Sequence, residues 1–177
     1  MKIYLVRHAE KEHEGEDANL TKKGISQAKL LGKKLKKIKF DEIYCSDLNR
    51  AKQTSEIVSR KIILKSKVEK SLNEFRTKTM RKDQKYFEGE EKKHFNDLKK
   101  FLEKITKNPN SEKTILIIAH GFTNRIIFSI LFNINHQKIL PFIQHETGIS
   151  EIFYAEEYKN WRLEKWNDFN HLPNKLK

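Results

Sequence analysis

The chain has 177 residues, with 37 Lys+Arg against 24 Asp+Glu and a formal net charge of +13 when histidine is neutral. That length predicts one domain spanning residues 1–177, and 37% hydrophobic residues, 11 of the chain being Phe, are enough to close a core and exclude wholesale disorder. The single cysteine, Cys45, excludes a disulfide framework and a Cys-based zinc site. No apolar run approaches the ~18 residues that a membrane span needs, and the first one stops at Arg7-His8, too short for a signal peptide. A soluble cytoplasmic protein with no membrane partner is expected. The basic balance suits either an anionic partner or a lysine-rich solvated surface, and pairs such as Lys33-Lys34 and Lys36-Lys37 favour the second.

In chain order, Ile3-Tyr4-Leu5-Val6 reads as a short strand buried on both faces. Apolar residues at 25, 28, 31, 35 and 38 predict a helix over 21–38, with Thr21 as its N-cap. Residues 42–45 form a second strand, after which Ser46 or Asp47 is a candidate cap for a helix running to Arg60. Val68 and Leu72 mark a weaker extended segment. A long amphipathic helix is expected over 84–107, stopped by Asn108-Pro109. Residues 114–119 are the clearest buried strand, followed by a helix over 123–132, and 149–154 with 161–166 resemble a terminal hairpin. Strands alternating with helices predict a three-layer α/β/α sandwich around a mostly parallel sheet.

Ligands of such sheets bind beyond the carboxyl ends of the strands. The first strand ends at Arg7-His8, the strand 114–119 ends at His120-Gly121, and Arg50 lies early in the helix after the second strand. Alone, each is an ordinary surface or structural residue. Together, two guanidiniums supply forked donors for phosphate oxygens, and two imidazoles supply a nucleophile and a further donor. Phosphoryl transfer needs such a set, because charge on the transferring oxygens must be neutralised while an in-line nucleophile is held ready.

Four segments carry a resemblance: Leu5-Val6-Arg7-His8-Ala9-Glu10, Leu20-Thr21-Lys22-Lys23-Gly24-Ile25-Ser26-Gln27-Ala28, the stretch from Ser46 to Thr54, and Ile118-Ala119-His120-Gly121. A weaker match is Trp161 through Leu172, ending Asn167-Asp168-Phe169-Asn170-His171-Leu172. In this order they resemble the histidine phosphatase superfamily, which includes the cofactor-dependent phosphoglycerate mutases and many small phosphatases. The resemblance implies a phosphoglycerate mutase-like fold and a metal-independent, cofactor-free phosphomonoester phosphatase. His8 would be the nucleophile that becomes a phosphohistidine. Arg7 and Arg50 would clamp the phosphoryl oxygens, His120 would donate to the same group, and Glu74 falls at the family's general acid. The backbone N–H of Gly121 would add an anion contact.

The chain departs from the family pattern at three places. Ala9-Glu10 replaces the usual Gly-Glu, an acidic loop over 12–17 replaces a common Asn, and a basic stretch containing Arg76, Lys78, Arg81 and Lys82 replaces a Gly-Trp-Gly-like pattern after Glu74. The expected partner is a small phosphorylated substrate whose second anionic group those basic residues contact. Phosphoglycerate mutase and protein phosphohistidine phosphatase activities are alternatives. A non-catalytic module for phosphorylated or nucleic-acid partners is disfavoured, because the four site residues are intact and no stacking-aromatic motif is present.

Overall fold

The computed structural model describes residues 1–13, 17–75 and 87–177. The basic stretch at Arg76, Lys78, Arg81 and Lys82, the expected helix start at Gln84 and the acidic-loop residues 14–16 lie outside the described residues.

Six strands form one mixed sheet: β1 (Lys2–Arg7), β2 (Glu42–Cys45), β3 (Ser66–Val68), β4 (Thr114–Ala119), β5 (Ile149–Ala155) and β6 (Asn160–Asp168), in the spatial order β3-β2-β4-β1-β5-β6. The first four are parallel, with β1 and β4 in register from Lys2↔Thr114 to Arg7↔Ala119, and the β5–β6 hairpin adds an antiparallel edge. The helices are α1 (Lys22–Leu35), α2 (Asn49–Ile62), α3 (Gly89–Ile105) and α4 (Gly121–Leu131).

Alternation along the central strands builds two cores. Ile3 and Leu5 of β1 with Ile115 and Ile117 of β4 meet Leu98 and Leu102 of α3 and Ile126 and Ile127 of α4. Tyr4 and Val6 with Leu116 and Ile118 meet Leu31 and Leu35 of α1 and Val58 of α2 on the other face. Each fully buried Leu or Ile contributes roughly 1.5–3 kcal/mol, and a sheet covered on both faces explains why β1 and β4 read as continuous apolar runs. Lys33, Lys34, Lys36 and Lys37 face water, as the solvated-surface reading expects. Among the described residues, no helix is long and apolar enough to cross a membrane.

Thr21 caps α1 as expected, its hydroxyl accepting from the Gly24 N–H at 2.9 Å. The helix ends at Leu35, so Ile38 packs beyond it against the second core. α2 begins one residue after Leu48, with neither Ser46 nor Asp47 as its N-cap. Ser46 and the Asp47 N–H are held instead by the Asn73 side chain. The weak segment divides into β3 and a single turn at Lys70–Leu72. α4 starts at Gly121 rather than Thr123, because extended His120 is already its N-cap.

The helix that follows β1 packs on one face and the helix that follows β4 on the other. Between neighbouring strands, that divergence opens a crevice at their carboxyl ends, a topological switch point. His8 and His120 stand there.

Candidate active site

The ladder continues one residue past β1, where the His8 N–H donates to the Ala119 carbonyl at 2.9 Å. His8 Nδ1 lies 2.7 Å from the carbonyl oxygen of Ala9. A carbonyl only accepts, so Nδ1 carries the hydrogen and Nε2 keeps its lone pair. Arg50 Nε donates to that Nε2 at 3.2 Å. Thr54 sets this approach by accepting from the Ala9 N–H at 3.0 Å and donating to the Arg50 carbonyl at 2.7 Å. With only 3% of its surface exposed, His8 is pushed down to about pKa 3 by burial, with Arg7 and Arg50 adding to the effect and the Ala9 bond opposing it. The imidazole is neutral at physiological pH.

The loop after His8 is seated on α1. Glu10 donates its N–H to Gln27 Oε1 at 2.8 Å, while its carboxylate accepts from Thr21 at 2.8 Å and pairs with Lys23 at 3.0 Å. A Cβ at Gly24 would fall 2.0 Å from the Glu10 carbonyl oxygen, so only glycine lets α1 approach this closely. Thr21, Gly24 and Gln27 thus support the loop from outside the site.

Arg7 turns its guanidinium toward the loop before β5. Its Nη1 donates to the Gln144 carbonyl at 2.8 Å and its Nη2 pairs with Glu146. The buried Gln144 amide nitrogen shares its two hydrogens among Leu5 O, Gly148 O and Ser150 Oγ at 3.1–3.2 Å, and its oxygen accepts from Asn124 at 2.7 Å. This ties β1, α4 and β5 together behind Arg7. Thr147 donates its N–H to the Arg7 carbonyl at 3.0 Å and sits at φ 56°, a left-handed conformation uncommon for a β-branched residue. Gly121 lies against the stem of Arg7, where a Cβ would meet Arg7 Cδ at 3.4 Å, an ordinary contact.

At the end of β4, fully buried His120 places its ring 5.1 Å from that of His8. Its Nε2 lies 2.8 Å from Ser46 Oγ, and its Nδ1 lies 3.5 Å from Glu74 Oε2. The same Glu74 oxygen is 4.0 Å from Arg50 Nη2. Glu74 is clipped by Thr123 on α4, whose hydroxyl donates to the Asn73 carbonyl and accepts from the Phe75 N–H, both at 2.9 Å. Burial pushes Glu74 upward, opposed by Arg50, Arg7, the Phe122 backbone N–H and Arg125. Burial pushes His120 downward, reinforced by His8, Arg50 and Arg7. The site therefore brings together a neutral imidazole at His8, a carboxyl at Glu74 that burial shifts upward and two guanidiniums.

One nitrogen each of His8 and His120 and one oxygen of Glu74 lie within 4.8 Å of one another, a grouping of cation-ligand residue types. The guanidiniums of Arg7 and Arg50 beside these groups repel a cation, so the charge of the site suits an oxyanion. Sequence reasoning missed Ser46, Asn73, Thr123 and Gln144, which act by hydrogen bonds between distant segments. It also missed Arg125, which sits 4.8 Å over the Phe122 ring and donates to Gly121 O and Leu140 O. Cys45 is a small buried residue, as expected.

The sequence profile of the histidine phosphatase superfamily (branch 1) matches residues 3–97 and 77–169. Phosphoserine phosphatase 1 of Hydrogenobacter thermophilus is 27% identical over 190 residues, covering 90% of this chain and 89% of its own. A phosphoserine phosphatase mutant of Entamoeba histolytica, solved with phosphoserine, superimposes with a TM-score of 0.76 at 22% identity, over 97% of this chain and 99% of that one. A mycobacterial glucosyl-3-phosphoglycerate phosphatase, solved with inorganic phosphate, gives 0.79 at 16% identity, over 97% and 99%. These likenesses establish the phosphoglycerate mutase-like fold.

Proposed function

The chain belongs to the histidine phosphatase superfamily and is an enzyme that hydrolyses phosphomonoesters through a histidine; on that premise we propose that His8 is the nucleophile, Arg7 and Arg50 the phosphoryl clamp, and Glu74 the proton donor. The observation that carries this reading is the fixed tautomer of His8: Nδ1–H is spent on Ala9, and the Nε2 lone pair stands beside Arg50.

In the first step, His8 Nε2 forms a bond to phosphorus as the bond to the leaving oxygen breaks, and Glu74 gives that oxygen its proton. Arg7 and Arg50 neutralise the equatorial oxygens, with the Gly121 N–H beside them; His120, expected to donate to the same group, spends its ring nitrogen Nε2 on Ser46. In the second step, water attacks the phosphohistidine, Glu74 takes its proton, and inorganic phosphate leaves with His8 restored. No step calls for a metal or an organic cofactor.

A small phosphomonoester carrying a second anionic group, such as phosphoserine, is the substrate class that fits best. Relatives spanning most of the chain include phosphoserine and glucosyl-3-phosphoglycerate phosphatases, and alpha-ribazole phosphatases span it as well. The mutase alternative is not favoured by these relatives. Brief mixing with a labelled phosphomonoester, followed by an alkaline quench, should trap one acid-labile, base-stable phosphoryl group on His8. His8→Ala should abolish both label and turnover. Label on a serine, or turnover without His8, would overturn the assignment.

A further inference from the structure

The hydrogen bonds behind His120 have a direction that can be read from one backbone group. The Asp47 N–H can only donate, and it meets Asn73 Oδ1 at 2.9 Å, which identifies that atom as the amide oxygen. Ser46 Oγ lies 2.8 Å from the same oxygen, so its single hydrogen goes there. What remains on Ser46 is two lone pairs. One accepts from the Leu48 N–H at 3.2 Å, and the other faces His120 Nε2 at 2.8 Å. Nε2 must therefore carry the ring hydrogen. In the neutral imidazole, Nδ1 is then bare, and among the described residues it is buried without a hydrogen-bond partner, 3.5 Å from Glu74 Oε2.

We propose that Ser46 and Asn73 are positioning residues that hold His120 as the Nε2–H tautomer, so that its Nδ1 lone pair faces Glu74 and keeps a proton on that carboxyl. The inference rests on Glu74 as the proton donor. A bare nitrogen beside a carboxylate is a repulsion of two acceptors; beside a carboxylic acid it is an acceptor for the proton. Burial is the largest influence on both groups and disfavours charge on either, the imidazolium of His120 and the carboxylate of Glu74. His8, Arg50, Arg7 and His94 add to the penalty on the imidazolium, whereas Arg50 and Arg7, with Arg125, pull the other way on Glu74, so the Nδ1 lone pair is the neighbour that favours the protonated carboxyl. Were the tautomer reversed, Nδ1–H would donate to the carboxylate and stabilise its ionised form, leaving the site without an acid at neutral pH.

Two measurements test this. With 15N-labelled histidine, the NMR signals of His120 in the wild-type enzyme should show a protonated Nε2 and a bare Nδ1. Ser46→Ala removes the acceptor for Nε2–H, and Asn73→Ala frees the Ser46 hydroxyl to turn and donate to the ring, so both variants should shift His120 toward Nδ1–H. In each, the alkaline limb of kcat/KM for glycerol phosphate should move down by about one pH unit, with a loss of about tenfold at a pH on that limb. The loss on p-nitrophenyl phosphate, whose leaving group needs no proton, should be several-fold smaller. A wild-type spectrum with Nδ1–H, or equal losses on the two substrates with an unmoved limb, would overturn the inference. Glu74→Gln separates this from the underlying assignment. If that variant spares glycerol phosphate, Glu74 is not the donor and the proposed function is what fails; an Nδ1–H spectrum refutes the tautomer whatever Glu74 does.

Discussion

The carboxyl ends of β1 and β4 are neighbours in register, and each delivers a buried neutral histidine to the same crevice. They differ in which nitrogen is spent. At the β1 end, Nδ1 is bonded to the next carbonyl of its own chain and Nε2 is offered beside Arg50. At the β4 end, Nε2 is taken by Ser46 from another strand's end and Nδ1 is turned to Glu74. Equivalent places in a fold therefore do not imply equivalent chemistry; the hydrogen bond made by the unused nitrogen decides what the other can do.

The largest way to break the contrast is at the β1 end. Arg50→Ala should lower kcat by on the order of 10²–10³, the scale of one lost transition-state donor. Alkyl and aryl phosphates should suffer alike, because the clamp acts on the phosphoryl group they share. Arg50→Lys should not restore the rate, since a point charge cannot reproduce the fork; steady-state kinetics of both variants check this.

Thr123→Ala loosens the other end. It leaves the buried Phe75 N–H without its acceptor, which should cost about 1–3 kcal/mol of stability in urea titrations. Its kinetic loss should fall mainly on esters with poor leaving groups, unlike that of Arg50→Ala.

Titration sharpens the comparison further. His8 is held at about pKa 3, so the acid limb for p-nitrophenyl phosphate should lie near that value rather than at the ~6.5 of a free imidazole. The same depression makes the unfolded chain bind more protons than the folded one between those values. Stability contributed by neutral His8 is thus present above pH 6.5 and lost as pH falls toward 3. Tm measured across that window should drop steadily.

The smallest change lies away from both ends. Ile63 closes α2 at φ 57° while 88% exposed, a position that suits glycine. Ile63→Gly should add roughly 1 kcal/mol by relieving the left-handed strain, raise Tm by about 2–4 °C and leave both kinetic profiles unchanged.

Much of this site is legible in the sequence because its parts sit at the boundaries of regular elements. Apolar runs locate β1 and β4, and the residues that follow them, Arg7-His8 and His120-Gly121, announce themselves as polar groups just past a buried strand. The layer architecture follows from the same periodicities. Ser46, Asn73 and Thr123 are different. Ser46 resembles a helix cap and is instead drawn to Asn73, 27 residues away, across the end of the β2–β3 pair. Gln144 lies in an irregular loop with no period to betray it, and its partners come from three elements. Such residues are selected by the assembled sheet order, which local pattern does not encode.

Thr147 shows what that assembly demands. A β-branched residue in the left-handed region costs on the order of 1–3 kcal/mol, and here the backbone adopts it where its N–H meets the Arg7 carbonyl, just after Gln144 and Glu146, the two residues that grip the Arg7 guanidinium. With Arg7 as the proposed clamp, relaxing this bend would trade turnover for thermostability. Selection for heat resistance alone should drift toward a relaxed turn with a looser arginine, and a screen that scores only melting would discard the better catalyst.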